Sequence, residues 1–143
     1  MTIAAILKHK GFDVASVAPE TTVAAVASLL SGRRIGAVVV RDAAETLLGI
    51  VSERDIIHAL ASNGATSLEM TAGQLMTRAV KTATPSTTVS EAMAIMTMGR
   101  FRHLPVIEHD TLVGIVSIGD IVKARMMQQD HEVDSLKAYV AGG

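Results

Sequence analysis

Ser52 and Asp55, in the stretch Gly-Ile-Val-Ser-Glu-Arg-Asp-Ile, recur as Ser117 and Asp120 in Gly-Ile-Val-Ser-Ile-Gly-Asp-Ile. Six of the eight residues agree across an offset of 65. A hydroxyl three residues before a carboxylate has two chemistries open to it. At a helix start the pair can cap free N–H groups, a structural device worth about 1 kcal/mol. The same helix start attracts anions, because unpaired N–H groups and the helix dipole point one way. One turn on, a carboxylate can accept from the paired hydroxyls of a ribose. Taken alone, Ser-x-x-Asp is a cap more often than a site.

Phosphate also needs cations. Arg100, Arg102 and His103 stand just before Leu-Pro-Val, and Arg33 and Arg34 stand before Ile-Gly-Ala. Arginine holds phosphate with two parallel, charge-assisted hydrogen bonds. A lone arginine pair usually marks a solvated loop, but clusters at matching places in both copies weigh against that.

The elements that must position these residues are themselves repeated. Pro19-Glu-Thr-Thr-Val matches Pro85-Ser-Thr-Thr-Val, and Arg34-Ile-Gly-Ala-Val-Val-Val is set against Arg102-His-Leu-Pro-Val-Ile-Glu. Thr22 and Thr88 read as helix caps, with Glu91 completing a capping box after Thr88. Val23, Val26, Ala27 and Leu30 follow at helical spacing, as do Val89, Ala92, Met93 and Met96. Residues 37–40 and 105–107 are short, β-branched runs and predict buried strands. Turns follow at 41–46 and at His109-Asp110. A second strand then ends in Gly-Ile-Val, and a helix starts at Ser52 or Ser117. In copy one that helix carries Ile56, Ile57 and Leu60 and closes near Asn63-Gly64. In copy two it carries Ile121, Val122, Met126 and Met127. Each copy is thus β-α-β-β-α, an α/β (α+β) organisation. Residues 1–15 predict a short helix with Ile3, Ile6 and Leu7 on one side, leading into the first strand. A composition break at 62–73 separates the copies. Val133, Leu136 and Val140 mark a further helix over 130–139. The expected division is 1–73 for the leading helix and first repeat, 74–128 for the second, and 129–143 for a helical tail.

Composition narrows the function classes. Hydrophobic residues make up 49% of 143 but aromatics only 2%, so aliphatic side chains and Met must fill the interior. No apolar run approaches the ~18 residues of a membrane span, and the N-terminus lacks a secretory layout. The chain has no cysteine, which excludes disulfides and thiolate metal sites and fits a reducing, cytoplasmic setting. A net charge of −1 gives nucleic-acid or membrane-surface binding little support.

Two tandem β-α-β-β-α units, with Arg102-His-Leu-Pro-Val followed by Gly-Ile-Val-Ser-Ile-Gly-Asp, resemble a pair of cystathionine-β-synthase (CBS) domains, a Bateman module. The resemblance runs from about Val14 to Met127. It implies two repeats related by pseudo-two-fold symmetry, each a small sheet flanked by helices, with adenosine nucleotides in clefts between them. Carried over, it assigns Asp120 to ribose, and Ser117, Arg102 and His103 to phosphate. Leu104 and Pro105 would flank the base, Gly119 would let the backbone approach, and Thr82 and Ala83 would complete the walls. Copy one offers Asp55, Ser52 and Arg34, with walls at Val17-Ala18. There Ile35 stands in the place of His103, Gly36-Ala37 replaces Leu-Pro, and Arg54 replaces Gly119, so copy two is the expected better site. The ligands implied are AMP above all, with ADP, ATP, NADH or S-adenosylmethionine as alternatives. Summing a few charge-assisted bonds against the entropy of binding suggests about micromolar affinity.

Catalysis is not expected. The five histidines show no metal-ligand spacing, no phosphate loop of the Gly-x-x-x-x-Gly-Lys type occurs, and neither Ser lies in a Gly-x-Ser-x-Gly elbow. The competing reading is a ligand-free interaction module. For either reading the resemblance implies a homodimer through the repeat helices, where Met93, Met96 and Met98 are adaptable packing residues. Without an effector domain in view, the expectation is a stand-alone energy or redox sensor signalling to a separate protein.

Overall fold

The computed structural model describes Met1–Gly142; Gly143, the last residue of the expected tail, lies outside the described residues. Its elements run α1 (Ile3–Lys10), β1 (Ser16–Val17), α2 (Val23–Arg33), β2 (Ala37–Arg41), β3 (Leu47–Ser52) and α3 (Glu53–Asn63). A 3₁₀ turn (Gly64–Glu69), α4 (Ala72–Leu75), α5 (Val89–Gly99), β4 (His103–Glu108), β5 (Thr111–Ser117) and α6 (Ile118–Gly142) follow. The chain forms two compact units. One comprises Met1–Phe12, Lys81–His109 and the chain from Val113 on; the other comprises Asp13–Val80 with Asp110–Leu112.

In the unit around the first repeat, β1 pairs parallel with β2 and β2 antiparallel with β3, Val39 opposite Ile50 and Ala37 opposite Ser52. The helices start where the threonines predict. Thr22 accepts from the Ala25 N–H, and Thr88 accepts from the Glu91 N–H, but the expected return bond from the Glu91 side chain is not formed, so no capping box closes there among the described residues. Val23, Val26, Val38, Val40 and Val51 are fully buried together against α4. The α3 helix closes at Asn63, with Gly64 at φ 66°. The expected break at 62–73 is ordered: the Ser67 hydroxyl is buried and donates to the Ala59 carbonyl.

The unit around the second repeat repeats the plan with a reduced first strand, a single parallel bridge from Ala83 to Val106. β4 and β5 join through His109-Asp110, both left-handed at φ 52° and 60°, as the tightest hairpin turn requires. Leu104, Val106 and Val116 pack with Val89, Met96 and Ile121, and with Ile3 and Leu7 of α1.

That last contact changes the expected division of the chain. The leading helix, placed with the first repeat by sequence, belongs by packing to the second: Thr2 bridges Thr88, the Ile3 N–H donates to Thr87, and Val89 donates to Met1. The first repeat is served instead by α4. Thr71 bridges Thr22, the Ala72 N–H donates to Thr21, and Val23 donates to Met70. Each repeat therefore packs against the segment that leads the other. Burial drives the arrangement, since Ile3 and Leu7 are at most 1% exposed there. The tail also differs from expectation. It is the continuation of α6, unbroken from Ile118, because no Pro or internal Gly interrupts the chain between Gly119 and Gly142.

Candidate functional site

Both Ser-x-x-Asp motifs fold as reciprocal caps at the junction of a strand and a helix. Asp55 Oδ2 accepts from the Ser52 N–H at 2.8 Å and the Ser52 hydroxyl at 3.0 Å, while the Asp55 N–H donates to Ser52 Oγ. In the second repeat the Ser117 N–H donates to Asp120 Oδ2 at 2.8 Å, and the Asp120 N–H donates to Ser117 Oγ at 3.1 Å. All four side chains are half-buried. Thr71 and Gln74 make the same reciprocal cap on α4, so the geometry alone does not mark a ligand site.

What separates the two copies is Lys10, a residue the sequence motifs did not single out. Its Nζ lies 2.6 Å from Asp120 Oδ2 and donates to the Ile115 carbonyl at 2.8 Å. In the first repeat the matching carbonyl, that of Ile50, is served by the backbone N–H of Thr77. The difference is one of helix length. α4 stops at Leu75 and lets the chain run along β3, whereas α1 continues to Lys10 before Gly11, at φ 106°, turns it away. The second repeat thus gains an ammonium where the first has a peptide group. Burial pushes the Asp120 carboxyl up, but the hydrogen bond from Lys10, the Ser117 N–H, the charge of Lys10 and the Ser117 hydroxyl outweigh it and hold the pKa below the ordinary value. A signal for Lys10 was available: Met1-Thr2 repeats as Met70-Thr71, which announces the leading segments as part of each repeat.

A pocket of about 470 Å³ opens beside this pair, between α1 and α6. Lys10, His9, Lys123 and Asp120 supply its polar lining; Ile6, Ala124 and Met127 are among its apolar walls. Three basic side chains around one carboxylate suit a ligand that carries both an anion and neutral hydroxyls.

The structure also corrects the correspondence between the copies. Arg34 and Arg100 occupy the same place, each the left-handed residue that ends a helix, α2 or α5, at φ 54° and 56°. The Glu53 N–H donates to the Gly36 carbonyl, and the Ile118 N–H donates to the Arg102 carbonyl. Arg102 therefore corresponds to Gly36 and His103 to Ala37, an offset of 66 where the arginine match gave 68. The arginine match misled because exposed arginines at a loop carry no register, whereas helix ends do. Copy one consequently lacks both basic residues at the strand entrance. Its Arg34 is exposed at a helix end, and Ile35 packs against the core, corresponding to Phe101.

Other expected residues fall on either side of their strands. His103 and Pro105 share one face of β4, and Leu104 and Val106 share the other. Leu104 is wholly buried in the core with Ile3 and Leu7, so its side chain is not placed to flank a base. Ala83 is likewise in that core, leaving its backbone to act as a wall, while Thr82 is exposed. Val17 packs toward the first repeat's core. Gly119 is exposed, and a Cβ there would meet only Ser117 Oγ at 3.5 Å, so the space above it is open. Arg54, in the equivalent place, is exposed on the first turn of α3. The Ile118–Arg102 bond is what brings the start of β4 to the start of α6. Among the described residues no group of three His, Asp or Glu is arranged to hold a metal ion, and no helix is long and apolar enough to cross a membrane.

Comparison with known proteins agrees with this architecture. The family model described as CBS domain matches residues 6–62 and again residues 72–127. The chain is 35% identical to the mitochondrial CBS domain-containing protein CBSX3 of Arabidopsis thaliana, over 99% of this chain and 73% of that one. It superposes with TM-score 0.85 on the crystal structure of the CBS-domain containing protein ATU1752 from Agrobacterium tumefaciens, at 45% identity, covering 87% and 92% of the two chains. Two further neighbours were solved with ligands. CBSX2 is in complex with AMP (26% identity, TM-score 0.73, 90% and 98% covered). The CBS domain pair of MJ0100 is in complex with 5′-methylthioadenosine and S-adenosyl-L-methionine (25%, 0.79, 90% and 98%). With its repeated strand-to-helix cap and two family matches spanning most of its length, the chain belongs to the CBS-domain family and carries the domain in tandem.

Proposed function

We propose that this protein is a regulatory module that binds an adenosine nucleotide, AMP foremost, at the second repeat. It passes the resulting change to a separate protein and performs no catalysis of its own. The observation that carries the proposal is the cluster at the start of α6. There Asp120 is held ionised by Lys10 and Ser117, with the Arg102 backbone fixed alongside. An ionised carboxylate with fixed orientation suits the paired hydroxyls of a ribose. Lys10, Lys123 and Arg102 offer cations for phosphate, and the pocket beside them has room for part of the ligand. The AMP and S-adenosylmethionine complexes of CBSX2 and MJ0100 support an adenosyl ligand; ATP, ADP and NADH share the same ribose and adenine. The first repeat has a peptide group where Lys10 stands and Gly36-Ala37 in place of Arg102-His103, which favours a weaker site or a less charged ligand. A cysteine-free chain suits the reducing cytoplasm. Exposed Ile57 on α3 and Met98 on α5 support pairing of two copies through repeat helices.

A second reading is favoured by the Thr71–Gln74 cap, which shows that this geometry forms without a ligand. On that reading the chain is a ligand-free interaction module. Calorimetric titration of nucleotide-stripped protein with AMP, ATP, NADH and S-adenosylmethionine decides between them. About micromolar binding of at least one is expected. Asp120→Asn should weaken it at least about tenfold through lost charge-assisted bonds, while Asp55→Asn should leave the tighter site intact. No binding of any of the four would establish both motifs as caps.

A further inference from the structure

The last part of α6 is exposed on every side from Gln129 to Ala141. A helix of that length with nothing beside it is marginal in water, yet this one is not polar all round. Val122, Met126, Val133, Leu136 and Val140 are all exposed, Leu136 by 63% and Val140 by 70%. With Gln129 they are spaced four and three residues apart in alternation, which draws one straight stripe along a helix. At the base of α6 the stripe points away from the protein's own core, because Ile121 and Ala124 fill that core from the opposite face.

We infer that this stripe is the seam of a parallel, in-register coiled coil between two copies of the chain. The flanking charges select the partner. In such a pair, a residue on one edge of the seam, such as Arg125 or Glu132, meets the residue five positions further along on the opposite edge of the other helix. Arg125 then faces Asp130 of a second copy, and Glu132 faces Lys137. Both pairs have opposite sign, each formed twice by symmetry. Gln129 supplies a polar layer that fixes register. In the single chain Arg125 makes a 3.4 Å hydrogen bond to Ser90 Oγ, which it can exchange for the interhelical pair. The interface is distinct from repeat-helix pairing.

The absence of native cysteine gives a clean test on the full chain. Leu136→Cys lies on the seam and is exposed, so the substitution does not disturb the core. On mild oxidation it should convert mostly to a disulfide-linked dimer on a non-reducing gel. Ala138→Cys, on the outer side, should stay monomeric because its counterparts are too far apart to bridge. Adding Lys137→Glu to Leu136→Cys should slow cross-linking about tenfold by setting like charges opposite each other, and adding Glu132→Lys as well should restore it. The inference is overturned if Leu136→Cys stays monomeric, if both cysteine positions link equally, or if the charge change has no effect. Linkage only in a mixture of Val133→Cys and Leu136→Cys chains would likewise overturn it, since that pattern belongs to an antiparallel pair.

Discussion

The Asp120 carboxylate collects the Lys10 ammonium and the Ser117 N–H on one oxygen, whereas Asp55 collects both groups of its own Ser52. Two residues with the same motif and the same cap therefore differ in what holds their charge. Lys10→Met should raise the pKa of Asp120, because burial would then be opposed by Ser117 alone; a carboxyl-carbon NMR titration reads it directly. The sign for stability follows from the lowered folded-state pKa. The stabilisation contributed by the Lys10–Asp120 pair is fully present above the unfolded carboxylate value of about 3.9 and is lost as pH falls through the folded one. Urea midpoints of the wild type and Lys10→Met should therefore differ at pH 7 and converge in acid below about pH 3.9. A gap that persisted unchanged into acid would assign the effect to lost packing of the Lys10 stem instead.

At the level of elements, the glycine of Gly-Ile-Val-Ser marks where a leading segment lies against β3 or β5. A Cβ on Gly49 would sit 2.6 Å from the Thr77 carbonyl and 2.7 Å from Met76 Sδ; one on Gly114 would sit 2.7 Å from Leu7 Cδ2. Gly49→Ala should thus destabilise the protein by about 1–3 kcal/mol, measured by urea unfolding. Gly114→Ala should cost less, because a side-chain terminus yields more readily than a backbone carbonyl. Strands, caps and the closing glycine of α3 were legible in the sequence because each rests on local chemistry repeated twice. Ser52, Asp55, Ser117 and Asp120 were legible as caps for the same reason. Lys10 was not: the repeat of Met1-Thr2 as Met70-Thr71 points to the leading segments, but the contact with Asp120 spans 110 residues and no local pattern names the side chain that makes it. That the side chains of Leu104 and Ala83 lie in the core was not legible, because a short apolar strand does not declare which face is core and which is open. The offset of Arg34 against Arg102 failed where alignment rested on a residue type rather than on a helix end.

Over the whole molecule, the exchange of leading segments makes each unit discontinuous in sequence. Leu7→Ala illustrates the result: it should cost about 2–5 kcal/mol by leaving a cavity, though Leu7 lies 76 residues before Ala83 in that core. Amide hydrogen exchange should show faster opening in β4, β5 and α5, with β2 and β3 little changed. Acceleration confined to β1–β3 would contradict the packing. The order of synthesis adds a further consequence. The residues of α1 leave a ribosome well before the surface they bury against, which is completed only by β5 and the start of α6, more than a hundred residues later. Until then Ile3, Ile6 and Leu7 have no site, and α1 must wait as an unsupported segment. Folding of this unit is thereby tied to synthesis of its last elements: α1 is made well before it can dock, and a nascent chain stalled before Ser117 would hold α1 open to chaperones and proteases.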